Sequence, residues 1–315
     1  MKLLRLRYVL EVFRHDNHIS KTAEALHTSQ PGISKHIQML EDELGFKIFT
    51  RKRNRIVGLT DPGEEVIAIA QRVLNDIDSL KRLGEEVSAR EGGALTIATT
   101  HTQARYVLPD IIARFIKRHP KVDINLRQGN PTQICEMVEA GDADIAIGTE
   151  TTRPFPTLVR LDCFPLERCI IAKVGHPLLK VRKLSLQDIA RYPIITHDPS
   201  FSGRWKVLDA FTQAGITPKI IFGAVDADVG KTYVELGLGI SVVTTVSYNR
   251  RKDTGLRAIA AGHLFAPSMT AVSLRANNYL RNYTYDLIRM LSPKLTRDVV
   301  MSAMQSARGA KVATK

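Results

Sequence analysis

Ser20–Gly45 reads SKTAEALHTSQPGISKHIQMLEDELG, the pattern of a helix, a tight turn and a second helix. Ser20 has the chemistry of an N-cap, and Thr22 to Leu26 suits a helix that follows it. His27-Thr28-Ser29-Gln30 interrupts the pattern, and Pro31 fits the first turn of a new helix, where its missing N–H costs nothing. Along that second helix Ile33, Ile37, Leu40 and Leu44 fall at steps of 4, 3 and 4, which makes one apolar stripe. Gln30, Ser34, Lys35 and Gln38 fall on another face near the helix start. Hydrogen-bonding side chains with one cation suit base edges and phosphates, so the unit is expected to place this helix in a DNA major groove.

The chain on either side extends that reading. Lys47–Arg55, KIFTRKRNR, carries Lys47, Arg51, Lys52, Arg53 and Arg55 and no acid. It tolerates β structure and leads to Gly58-Leu59-Thr60, which predicts a two-stranded wing whose cations contact flanking phosphates. Upstream, Leu3, Leu6, Leu10 and Phe13 predict a first helix. Downstream, Thr60-Asp61-Pro62 opens a helix expected to run to about Arg90. In that helix Val66, Ala70, Val73, Ile77, Leu80, Gly84 and Val87 alternate steps of 4 and 3. Such a seam is expected to pair with a second copy of the chain, giving two heads for two half-sites; packing on the chain's own second half is the alternative.

The 315 residues suffice for two or three domains, and 44% are hydrophobic. The net charge of +13 fits an anionic partner. It divides as +2 over residues 1–90, +2 over 91–249 and +9 over 250–315. The head's case for DNA therefore rests on the local wing cluster, while the basic C-terminus reads as a solvated tail that can add non-specific affinity. Arg5, Arg7 and Glu11 interrupt any signal-peptide core. No run of about 18 apolar residues exists, and a cytoplasmic location is expected. Cys135, Cys163 and Cys169 have no metal-ligand spacing and read as reduced, buried thiols.

After residue 92 strands and helices alternate. Strands are expected at 94–99, 122–127, 143–148, 158–164, 168–173, 193–196, 219–222, 240–243 and 269–275. Helices are expected at 103–118, 132–140, 186–190, 206–214, 229–236 and 279–291, the first with Leu108, Ile111, Ile112, Phe115 and Ile116 inward. Two α/β lobes joined by crossing strands follow, with a ligand cleft beyond the C-terminal strand ends. Four polar loops fall at that edge: Thr99–Gln103, Gly129–Thr132, Gly148–Glu150 and Phe201–Arg204. Together they suit a small anion, with His101, Pro131, Thr132 and Glu150 as further candidate contacts. No G-x-S-x-G, P-loop or H-E-x-x-H occurs, and Gly237-Leu238-Gly239 is a turn, so no enzyme is expected. Asp226 and Asp228 can share a site, or cap a helix and pair with Lys231.

The whole arrangement resembles the LysR-type transcriptional regulators, most specifically in TAEALHTSQPGISKHIQMLEDELGFKIFTR. The segments TTHTQARYVLP, QGNPTQI, DADIAIGTE, DADVGKTYVELGLG and SPKLTRDVV are similar to the branch typified by CysB, which regulates sulfur assimilation and cysteine biosynthesis. The resemblance implies a winged helix-turn-helix head (1–60), a linker and dimerisation helix (61–91) and a two-lobed, periplasmic-binding-protein-like effector domain (92–315). Lobe I would be about 92–163 with 267–292, and lobe II about 164–266. It implies a homodimer or homotetramer on promoter DNA, contact with RNA polymerase, and no cofactor beyond an effector such as N-acetylserine, O-acetylserine or sulfate. DNA contacts would come from Ser20, Thr28, Ser29, Gln30, Pro31, Ser34, Lys35, Gln38, Arg51, Lys52 and Arg53. Effector contacts would come from Thr100, Thr102, Gln103, Thr149 and Ser202, the last replacing the threonine usual in the branch.

Overall fold

The computed structural model describes residues 1–53, 55–87 and 92–312, in two compact units, Met1–Ser88 and Ala89–Lys315. In the first, α1 (Leu3–Arg14) packs on α3 (Gln30–Leu44) and on α4 (Asp61–Val87). A helix covered on two sides needs a wider apolar face than one stripe. Leu6, Val9, Leu10 and Val12 are therefore buried, while Leu3 and Phe13, expected inward, are exposed. Helix α2 (Ile19–Ala25) begins one residue before Ser20, and its N-cap position is His18, without a side-chain bond. Ser20 thus lies inside the helix rather than capping it; Ile19, packed against the core, starts the helix early.

His27, in the left-handed region at φ 49°, turns the chain after α2. Ser29 caps α3, its Oγ accepting from the Gly32 N–H at 3.2 Å, and Pro31 lies in the first turn. Gly45, left-handed at φ 78°, ends the helix, a conformation that glycine adopts without strain. Ile33, Ile37 and Leu40 are fully buried. Strands β1 (Phe49–Lys52) and β2 (Arg55–Leu59) pair antiparallel, Phe49 facing Leu59 and Lys52 facing Arg55. The expected wing is present.

Thr60 caps α4 through Gly63 N–H at 3.0 Å. The seam expectation needs a correction. Val66 and Ala70 belong to the head's own core, with Val73 packed against it. The first turns of α4 close the head, while Ile69 and, in the distal part, Leu80 (68% exposed) and Leu83 (40% exposed) are uncovered. Residues 88–90 of the expected helix lie outside the described residues.

The second unit holds two five-stranded sheets. Lobe I has the order β4-β3-β5-β12-β6, made of β3 (Gly93–Thr99), β4 (Val122–Gln128), β5 (Ile145–Gly148), β6 (Leu158–Leu166) and β12 (Ser268–Arg275). Strands β4, β3 and β5 run parallel, and β12 is antiparallel to its neighbours. Lobe II has the order β11-β7-β10-β8-β9, made of β7 (Arg168–Lys173), β8 (Ile194–His197), β9 (Ile220–Ala224), β10 (Ile240–Thr244) and β11 (Leu256–Ala260). The chain crosses between lobes twice, from β6 to β7 and from β11 to β12. Helices α5 (Leu108–Arg118), α6 (Pro131–Glu139), α7 (Leu186–Ala190), α8 (Ser202–Gln213), α9 (Ala227–Glu235), α10 (Asn282–Leu291) and α11 (Arg297–Val312) complete the unit.

Several expectations change. The helix expected over 103–118 is a π-helical turn, Gln103–Val107, followed by α5, and Ile116 is exposed. Helix α8 starts at Ser202, not Lys206. The tail expected to be solvated forms α11, whose Val300 and Met304 are buried in the lobe I core. All three cysteines are free and buried, and burial pushes the Cys163 and Cys169 thiols up to about 11, so the thiolate is disfavoured. No helix among the described residues is long and apolar enough to cross a membrane.

Candidate functional site

The head leaves nearly all of its predicted contacts exposed. Thr28, Ser29, Gln30, Pro31, Lys35 and Gln38 are exposed, Ser34 is half-buried, and Ser20 Oγ donates to Gln30 Oε1 at 3.3 Å. Arg51, Lys52 and Arg53 are exposed on the wing. The sequence reading missed Glu41, which fixes the wing to α3. Its carboxylate is buried, and Oε1 accepts from the Ile48 and Phe49 N–H groups at 3.0 and 3.3 Å. Lys47 Nζ lies 3.1 Å from Oε2. An acid one residue after Leu40 on an otherwise apolar stripe was the available signal.

In the second unit, parallel β4, β3 and β5 end at one edge. Strand β3 has β4 on one side and β5 on the other, so a crevice opens where the chain direction switches. Thr100 and Gln103 follow β3, Pro131 and Thr132 open α6 beyond β4, and Thr149 and Glu150 follow β5. Thr100 and Gln103 are buried; Gln103 Nε2 donates to Thr270 Oγ1 at 2.9 Å, and its Oε1 is buried without a partner. Thr102 is half-buried. Asn130 caps α6 reciprocally with Gln133, and Thr132 Oγ1 lies 3.0 Å from Thr152 Oγ1, so this corner bonds within itself.

The opposite wall comes from lobe II. Ser202 Oγ donates to Thr149 Oγ1 at 3.0 Å, across the two lobes. Glu150 is held by Lys206 Nζ at 2.5 Å and by the Met269 N–H at 3.0 Å. Burial would raise the Glu150 carboxyl, but Lys206 and the Met269 N–H outweigh it and hold it below the ordinary range.

A second bridge between the lobes involves His101. Asp228 accepts from Tyr106 OH at 2.5 Å, and its Oδ2 lies 2.9 Å from His101 Nε2 and 2.8 Å from Arg105 Nε. Lys231 donates to Tyr106 OH at 2.9 Å and lies 3.2 Å from Asp253. Burial alone would raise Asp228; hydrogen bonds from Tyr106 and His101 and the charges of Lys231 and Arg105 outweigh it and lower the carboxyl. Asp226 caps α9 through the Val229 N–H at 2.8 Å, and Asp228 does pair with Lys231, at 3.6 Å. His101, Asp226 and Asp228 bring possible ligand atoms within 4.8 Å of one another. With Arg105 and Lys231 already on Asp228, the local field repels a further cation.

A winged helix-turn-helix head followed by two α/β lobes around a polar cleft defines a ligand-responsive DNA-binding regulator. Residues 3–64 match the "Bacterial regulatory helix-turn-helix protein, lysR family" and residues 88–296 the "LysR substrate binding domain". The chain belongs to the LysR family of transcriptional regulators, which are not enzymes. It is 47% identical over 305 residues to the HTH-type transcriptional regulator CysB of Burkholderia cenocepacia, covering 97% of each chain. It is 44% identical to SsuR of the same organism, covering 98% of this chain and 100% of that one. The crystal structure of the cofactor-binding domain of the Cbl transcriptional regulator superposes with a TM-score of 0.65 at 35% identity, covering 68% of this chain and 93% of that one. The protein falls in the branch that holds CysB, SsuR and Cbl.

Proposed function

We propose that the protein controls genes of sulfur assimilation and cysteine biosynthesis by binding promoter DNA and sensing a small anionic effector, N-acetylserine, O-acetylserine or sulfate. The observation that carries this reading is the Ser202–Thr149 bond across the lobes, with Thr100 and Gln103 buried where β3 ends in lobe I and the Gln103 Oε1 left without a partner. An effector entering there replaces that bond with bonds to itself and resets the angle between lobes. It must bind one arrangement better than the other, or it shifts nothing.

On DNA, α3 of paired subunits enters successive major grooves, with Ser29, Gln30, Ser34, Lys35 and Gln38 at bases and phosphates. Arg51, Lys52 and Arg53 hold the backbone. The uncovered distal face of α4, including Leu80 and Leu83, supports pairing of copies in a dimer or tetramer. The regulator acts in the cytoplasm, in contact with RNA polymerase. The resemblance to this branch carries a second reading, control of sulfonate or taurine use, in which the same cleft takes a sulfonated signal.

The test is binding to a sulfur-assimilation promoter fragment at fixed salt, titrated with the three effectors. Ligand-dependent affinity is expected. Replacing Thr100 and Gln103 should abolish the response and leave DNA affinity intact. Equal loss of both refutes the two-site mechanism, and response only on a sulfonate-utilisation promoter favours the second reading.

A further inference from the structure

We propose that Arg168 makes the cleft selective for anions: its free Nη1 takes the negatively charged group of the effector, beside Ser202 at the first turn of α8. This rests on the reading of the cleft as the effector site and adds the charged residue which that reading lacks.

Arg168 opens β7, directly after the first crossover, and is 1% exposed. Its Nε donates to the Ala266 carbonyl at 3.1 Å, and its Nη2 donates to Ser268 Oγ at 2.6 Å. Both partners lie on the return crossover, so the guanidinium ties the two crossing segments together. Its Nη1 is buried and has no hydrogen-bond partner. Among the described residues no carboxylate lies within ion-pair distance. The acids that act on it are Glu150, already bound by Lys206, and Glu167, which is exposed. A buried cation with an unused donor is unfavourable unless something anionic approaches it.

The surroundings lead from this nitrogen to the cleft. Ser268 Oγ lies 3.3 Å from Ser202 Oγ, which in turn donates to Thr149. Arg168, Ser268, Ser202 and Thr149 therefore form one continuous polar chain that ends at the lobe boundary. Gly203 lies against this nitrogen: a Cβ there would stand 3.6 Å from Arg168 Nη1 and 3.4 Å from His197 Nδ1, filling space beside the free donor. Phe201 supplies no capping oxygen to the N-terminus of α8, so the helix end adds positive potential at the same point. His197 does not compete as a cation, because burial and the Arg168 charge push its ring down to about 4.

The experiment is calorimetric titration of the full-length protein with N-acetylserine, with its uncharged amide N-acetylserinamide, and with sodium sulfate. The wild type is expected to bind N-acetylserine about tenfold or more tightly than the amide, the usual strength of a hydrogen bond to a charged group. Arg168→Gln should bring the two within about threefold and weaken sulfate in parallel, and this collapse of the ratio, which loss of the ties to Ala266 and Ser268 alone would not cause, is the readout. A variant that keeps the wild-type preference overturns the proposal. If Ser202→Ala with Thr149→Ala then still loses binding, the cleft reading stands without it. Should Arg168→Gln not fold, the wild-type comparison decides alone: equal affinity for N-acetylserine and its amide overturns the proposal. If the wild type binds neither N-acetylserine nor sulfate, the cleft reading and the proposal fail together.

Discussion

Replacing Glu41 by alanine removes the acceptor that joins the recognition helix to the wing. The Ile48 and Phe49 N–H groups, both buried and both bonded to Glu41 Oε1, lose that partner. A buried N–H without an acceptor costs roughly 1–3 kcal/mol, so the pair predicts a loss of roughly 2–6 kcal/mol from the head. Glu41→Gln keeps an oxygen in the same place. It gives up the attraction of Lys47, whose side chain is 61% exposed, an ion pair worth about 0–1 kcal/mol, together with the charge assistance of the two N–H bonds. The glutamine variant should therefore retain at least half of the stability that the alanine variant loses. Urea unfolding followed by circular dichroism measures the difference, and hydrogen exchange at Ile48 and Phe49 locates it. Equal losses for the two variants, or unchanged exchange at those amides, would refute the staple. DNA affinity should fall with Glu41→Ala even where the head remains folded, because a loosened wing no longer presents Arg51 and Lys52 in a fixed place.

Three further outcomes follow. Replacing Arg51 and Arg53 by alanine should reduce the slope of log affinity against log salt by about 0.9 for each phosphate that the wing no longer neutralises; an unchanged slope removes the wing from the DNA-binding surface. Asp228 is held below the ordinary aspartate value of 3.8. Its contribution is therefore present above that value and lost as pH falls through the folded one. Asp228→Asn should lower stability at pH 7 and converge with wild type in strong acid, whereas a constant gap across the range would exclude the ion-pair account. His197, with its ring pushed from 6.5 to about 4, is neutral in the folded state where the unfolded chain takes a proton. Stability should decline between those values by at most about 3 kcal/mol, reduced by the partial exposure of the ring. His197→Asn should flatten that limb in a pH series of thermal unfolding, and an unaltered limb would assign it to another group.

The parts of the fold that were legible in the sequence are those whose causes are local. Ser29, Pro31 and Gly45 set the limits of α3 through capping and left-handed geometry within a few residues, and the stripe from Ile33 to Leu44 fixes its buried face. The seam on α4 was legible as a period, but a period does not say what covers it. Val66 and Ala70 meet α1 of the same head, a contact between segments more than 50 positions apart in the sequence. Strand β11 escaped because LRAIA is short, lies at a sheet edge and alternates only weakly. Helix α11 escaped because its cations masked Val300 and Met304, four residues apart on one buried face.

The candidate site divides along the same line. The loops that hold Thr100, Gln103, Thr149 and Ser202 were visible as polar breaks at strand ends, whereas the choice of these residues came from the family resemblance, and the start of α8 at Ser202 rather than Lys206 was not legible. Arg168 was not, since RCIIAK reads as a buried strand with a charge at its margin, and the partners of that charge lie about 100 positions away, at Ala266 and Ser268. The Asp228 bridge is equally remote, joining His101 and Tyr106 to α9 across 127 and 122 positions. What sequence supplied was the set of donors lining a cleft. What folding added was the pair of cross-lobe connections, one through Ser202 and Thr149 and one through Asp228. A regulator needs both. Donors without a bridge between the lobes would bind an effector and transmit nothing, and a bridge without donors would have no ligand to open it.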